Sequence, residues 1–163
     1  MDKVNGSGTE TLPDGTKYVG EFKDGKKSGK GSYLNADGSK YIGDFRLNQL
    51  DGEGELVYAD KRVYKGGWRQ NKMHGFGTFN WPDETCYVGE YDMDKKHGWG
   101  TFSWKDGRLF EGEWKDGVQD GVGKFIAPQG GIKYGIWEKG TRSKWVKKKV
   151  FKQALKIRQE KKK

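Results

Sequence analysis

The sequence predicts an all-β protein: a single-layer, elongated array of antiparallel β-hairpins followed by a C-terminal amphipathic α-helix. Three observations predict it. Glycines recur at a fixed step of twenty-three residues. Aromatic residues keep the same step. Within each copy, the ring and glycine positions stand two residues apart, which is the side-chain period of a strand.

The glycines form three columns in one register. They are Gly20, Gly43, Gly66, Gly89, Gly112 and Gly135; Gly8, Gly31, Gly54, Gly77, Gly100 and Gly123; and Gly6, Gly29, Gly52, Gly75, Gly98 and Gly121. Self-similarity at such a period marks a repeat architecture. Eighteen of the twenty-three aromatics occupy repeat slots, so the rings belong to the architecture.

The array predicted over residues 1–140 begins with a partial copy at 6–17. The first full copy opens at Tyr18. In "YVGEF", Tyr18, Gly20 and Phe22 share one face, while Val19 and Glu21 point the other way. In "GKGSYL", Gly29, Gly31 and Tyr33 share a face. "KDGKKS" between them reads as a hairpin loop, and "NADG" and later "WKDG" read as turns between copies. Five full copies follow this pattern, with a partial one at 133–140. A neighbouring glycine lets a ring lie over bare backbone, which is how a sheet without a second layer can cover its aromatics.

Composition narrows the classes of function. Only 32% of the 163 residues are hydrophobic and 34% are charged, so no thick aliphatic core is expected. Cys86 is the sole cysteine, which rules out an intramolecular disulfide and a cysteine metal cluster. "MDKVNGSG" lacks the pattern of a secretory signal. The net charge of +9 is unevenly spread. Residues 141–163 hold eleven Lys/Arg and one Glu, while the rest is nearly neutral.

Candidate chemistry is weak. His74 and His97 occupy the same slot of adjacent copies, about 10 Å apart at two strand spacings, too far to share a metal ion. The same spacing separates Glu21 from Asp44 and Glu90 from Glu113. These carboxylates are expected to satisfy backbone or basic neighbours instead of forming a catalytic pair. "GEFKDGKK" resembles a phosphate loop but lacks its Ser/Thr and its strand-to-helix setting. No enzyme activity, cofactor, metal or small-molecule substrate is expected. Nucleic acid is disfavoured because rings and basic charge lie in separate segments.

The tail, 141–163, changes period. Val146, Val150, Ala154 and Ile157, flanked by Phe151 and Leu155, keep helical spacing. No glycine or proline interrupts it, and Ser143 is a candidate cap. One basic amphipathic helix of about 15–18 residues is predicted. Three roles stay open: covering the edge of the last hairpin, docking on an acidic partner or a helix-binding groove, or lying on anionic lipid. Lys147, Lys148, Lys149, Lys152, Lys156 and Arg158 would make those contacts. On the ring face the candidate partner contacts are Trp68, Trp81, Tyr91, Trp104 and Trp114, whose rings could equally serve the sheet itself.

"YVGEFKDGKKSGKG", "YVGEYDMDKKHGWG" and "FEGEWKDGVQDGVG" resemble the MORN repeat, over residues 6–140. Gly67 replaces the acidic residue in the third copy, Lys61 and Glu84 replace turn glycines, and Lys133 takes the tyrosine slot of the last copy. The resemblance implies a groove-bearing β-sheet scaffold that binds and assembles. Members of the family occur in ciliary radial spoke heads, cytoskeletal complexes and junctional membrane proteins, and fused to lipid kinases. It implies a scaffold subunit of the cytoplasmic cytoskeleton, with the ciliary axoneme as the setting. The partners implied are other subunits of that complex or another MORN-repeat chain. A peripheral protein of acidic phospholipid surfaces is the alternative.

Overall fold

The computed structural model describes residues 4–161; Lys162 and Lys163 of the basic tail lie outside the described residues. The chain forms two compact units that part between Pro82 and Asp83. The first holds β1 (Gly6–Thr11), β2 (Lys17–Lys23), β3 (Lys26–Leu34), β4 (Lys40–Arg46), β5 (Gln49–Val57), β6 (Val63–Arg69) and β7 (Lys72–Asn80). The second holds β8 (Cys86–Asp92), β9 (Lys95–Ser103), β10 (Leu109–Lys115), β11 (Val118–Ile126), β12 (Ile132–Glu138), β13 (Thr141–Val146) and helix α1 (Lys148–Glu160). In each unit every strand pairs antiparallel with the next in chain order. The protein is therefore all-β, each unit a single layer of consecutive hairpins, with one helix among the described residues.

Two kinds of turn join the strands. Inside each copy the loop is only two residues, both with positive φ, as at Asp24–Gly25 (50° and 75°) and Leu47–Asn48 (51° and 70°). Such turns match the twist of the flanking strands. The six-residue loop read from "KDGKKS" is thus shorter than expected, because β3 begins at Lys26. The glycine is also dispensable: Gln70–Asn71 and Met93–Asp94 make the same turn. Between copies, an aspartate accepts from the backbone N–H two residues on, as in Asp14 to Thr16 and Asp83 to Thr85, both 2.9 Å. The next position has positive φ, and there Lys61 and Glu84 stand in for glycine, each at 69°.

The ring face forms the core. Tyr18, Tyr41, Tyr64, Tyr87 and Phe110 are at most 1% exposed. Tyr18, Tyr41, Tyr87 and Phe110 each meet rings of their own and a neighbouring hairpin edge-on, as Tyr41 does with Phe45 (5.3 Å) and Trp68 (5.4 Å). This is a favoured aromatic geometry. The tyrosine rings lie over the second glycine column: a Cβ on Gly31 would fall 2.5 Å from the Tyr18 ring. Each hydroxyl donates to the carbonyl three residues on, Tyr18 to Glu21 at 2.8 Å and Tyr87 to Glu90 at 2.9 Å.

The tail differs from its expectation. Residues 141–146 are strand β13, not helix, so Ser143 sits in a strand and caps nothing. The strand forms because Lys139–Gly140 (49° and 84°) repeats the two-residue hairpin turn and returns the chain along β12. Helix α1 begins after Lys147 with no side-chain cap. It does not cover the edge strand. It folds back on the face opposite the core rings, where Phe151 meets Trp99 on β9 and Tyr134 on β12. The edge of β13 is left to Arg142 and Lys144, charges of the kind that discourage strand addition.

Candidate binding surfaces

The acidic column has a structural task. The pairing of β2 with β3 slips after Gly20–Gly31 and resumes at Phe22–Lys27, a β-bulge repeated in later copies. There the Glu21 carboxylate accepts the N–H of Lys30 at 3.0 Å, and Asp44 that of Glu53 at 2.8 Å. Glu90 accepts from Trp99 at 2.7 Å and Glu113 from Val122 at 2.6 Å. The expectation that these carboxylates satisfy the backbone holds. Burial works against the charged form of Asp44, but Lys30 and the Glu53 N–H outweigh it and hold the carboxyl below the usual range. Each bulge also uses a third-column glycine with positive φ, such as Gly98 (59°), tight against the Glu90 carboxylate.

Burial divides the aromatic candidates. Trp68, Tyr91 and Trp114 are 5–7% exposed, so their rings serve the sheet and are withdrawn from ready contact. Trp68 and Trp114 also donate their indole N–H to the Gly54 and Gly100 carbonyls, at 3.2 and 3.1 Å. Trp81 and Trp104 remain half-exposed. Each leans on the phenylalanine two residues before it, Phe79 at 4.3 Å and Phe102 at 4.7 Å. Arg108 stacks over Trp104 at 5.1 Å while pairing with Asp106.

Sequence reasoning missed a lysine on the ring face. Lys96 sits among Tyr87, Phe102 and Trp114, its ammonium 5.0–5.5 Å from their centroids. Burial among these rings pushes it below the ordinary lysine range. Lys27 holds the same slot in the first copy, over Tyr18 and paired with Glu10. The shared twenty-three-residue register was the available signal.

The basic candidates also divide. Lys148, Lys149, Lys152 and Lys156 on the docked helix, and Lys147 just before it, are all exposed. Arg158 is turned inward: its guanidinium lies 2.9 Å from the Glu90 carboxylate and 5.7 Å from the Trp99 ring. Between α1 and the sheet lies a cavity of about 700 Å³, lined by Trp99, Glu113, Val122, Ala154 and Ile157 among others. Among the described residues no three His, Cys, Asp or Glu side chains converge as a metal site. No helix there is long and apolar enough to cross a membrane.

Among solved structures, the chain is similar to the TCP domain of Drosophila melanogaster SAS-4 (dCPAP), solved in complex with a proline-rich motif of Ana2 (dSTIL). Identity is 14% over 78% of this chain, and the TM-score is 0.44. The chain spans 63% of that one. It is also similar to the TCP10 domain of Danio rerio CPAP, at 17% identity over 84% of this chain and 70% of that one, with a TM-score of 0.38. Scores this low carry neither fold nor partner across. A search of curated proteins gives no match. The MORN repeat model matches residues 1–17, 18–40, 41–61, 64–86, 87–107 and 110–132. These six segments span most of the chain, and the chain belongs to the MORN repeat family.

Proposed function

We propose that the chain is a non-catalytic scaffold or adaptor subunit of a cytoskeletal assembly, set in the ciliary axoneme and specifically in a radial spoke head. The observation that carries the scaffold reading is the use of the repeat's polar and aromatic residues. Four carboxylates hold bulges, four tyrosine hydroxyls hold backbone carbonyls, and most rings are buried. What remains outward is suited to contact: half-exposed Trp81 and Trp104, and the lysine ridge of α1. The axonemal setting is supported by membership of a family with spoke-head members. Affinity capture with crosslinking mass spectrometry from a ciliated cell tests it. Crosslinks from the α1 lysines to axonemal subunits are expected. Recovery of membrane and lipid-kinase components alone would overturn it.

A second reading rests on the same ridge. Four exposed lysines on one helix, with Lys147 just before it, suit an anionic bilayer, at roughly 1 kcal/mol for each lysine near the surface. Flotation with phosphoinositide vesicles at physiological salt tests it. Binding lost in a Lys148→Glu/Lys149→Glu/Lys152→Glu variant would favour lipid, and absence of flotation by the wild type would remove this reading.

A further inference from the structure

Helix α1 is seated by few contacts. Phe151 is its one buried side chain. It fits between Trp99 (5.5 Å) and Tyr134 (5.3 Å), with the Lys124 ammonium 5.8 Å from its ring. Seven residues on, two helical turns away, Arg158 reaches Glu90. Both members of that ion pair keep more than a quarter of their surface, so the pair is screened by solvent.

The helix itself is poorly supported. It has thirteen residues, no side-chain cap and no acidic residue in its first turn. Lys147, Lys148 and Lys149 place three positive charges at the end where the helix dipole is already positive. A helix of this length is marginal without its packing. The packing is also incomplete: Ala154, between Phe151 and Arg158, faces the cavity and leaves it unfilled.

On the reading of the chain as a binding scaffold, we propose that the slot formed by Trp99, Tyr134 and Glu90 is a binding site for an amphipathic helix carried by a partner, and that α1 is its built-in competitor. The partner helix carries an aromatic residue, a larger apolar residue three positions on, and an arginine seven positions on. The first and last reproduce what α1 places in the slot, and the middle one fills what Ala154 leaves open. Partner binding then frees α1 and its lysines, which couples occupancy of the slot to release of the basic segment.

The test uses the full chain and a fluorescent peptide of residues 147–161, read by anisotropy. A Phe151→Ala/Arg158→Ala chain, its slot opened, is expected to bind the peptide at least tenfold tighter than the wild type. Glu90→Arg added to that chain removes the gain. An Ala154→Leu peptide binds tighter than the native one. A peptide lacking Phe151 and Arg158 but keeping every lysine does not compete. Arg158→Glu alone, which leaves Phe151 in place, gives an intermediate gain. Equal binding by opened and wild-type chains, no binding by an opened chain that unfolds at the wild-type temperature, or full competition by the lysine-only peptide would overturn the proposal. Loss of the sheet's fold in both opened variants would make α1 a structural cover, which also overturns it. Failure to capture axonemal partners leaves these outcomes unchanged, so the two readings fail separately.

Discussion

Tyr41 shows what the repeat asks of one side chain. Its ring is 1% exposed, its hydroxyl donates to the Asp44 carbonyl at 3.0 Å, and Gly54 lies beneath it. Burial raises its phenol well above the usual range, so it stays a donor across the working pH range. Gly54→Ala puts a methyl into the ring and is expected to cost about 1–3 kcal/mol, the range for overpacking. Chemical denaturation measures it, and an unchanged midpoint would mean the ring does not rest there. Lys61 gives the opposite case. It holds a φ of 69° at an exposed turn where four other copies use glycine: Gly15, Gly38, Gly107 and Gly130. Lys61→Gly is expected to stabilise by roughly 1 kcal/mol, since only glycine enters that region without steric cost. A lower melting temperature would contradict this.

Hairpins and the helix carry the next lessons. The strand pairs were legible in the sequence because rings and glycines alternate with period two. The two-residue loops were not, since Leu47–Asn48 and Met93–Asp94 adopt positive φ without the glycine that usually signals it. The bulge was hidden as well: Glu21 reads as an outward residue until its carboxylate is seen at the Lys30 N–H. Asp44 makes the bulge's role measurable. Its folded carboxyl titrates below its ordinary value of 3.8, so its contribution is present above that pH and is lost as pH falls through the lower, folded value. Asp44→Asn is therefore expected to lower stability at neutral pH and to flatten the acid limb of the stability curve below about pH 4. An acid limb as steep as the wild type's would contradict it. Helix α1 was placed too early because 141–146 has no breaker, while the turn that made β13 lies just upstream. Lys147 stands at the cap position without a cap. Lys147→Ser is expected to stabilise α1 by about 1 kcal/mol. Slower amide exchange through the helix would show it, and an unchanged rate would not fit.

Across the molecule, one device repeats. The buried tyrosine rings of the core face need no second layer, because they find cover on glycines and rings of that same face. Stability in such arrays is close to a sum of copies and nearest-neighbour terms. The period was legible from the positions of glycines and aromatics, but the division of labour among aromatics was not. Trp68, Tyr91 and Trp114 share their column with Phe22 and Phe45 and are buried, whereas Trp81 and Trp104 lie two residues beyond a buried or half-buried phenylalanine and stay half-open. Spacing tells face but not depth. The slot under α1 was also out of reach, since Glu90 and Arg158 are sixty-eight residues apart. The most direct measurement of the central claim is the proton NMR shift of the glycine α-hydrogens. Gly31, Gly54, Gly77 and Gly100, each under a tyrosine ring, should resonate well upfield of exposed Gly15 and Gly38. Values for these four indistinguishable from the turn glycines would mean the rings do not lie on the backbone, and the fold would need another source of cover.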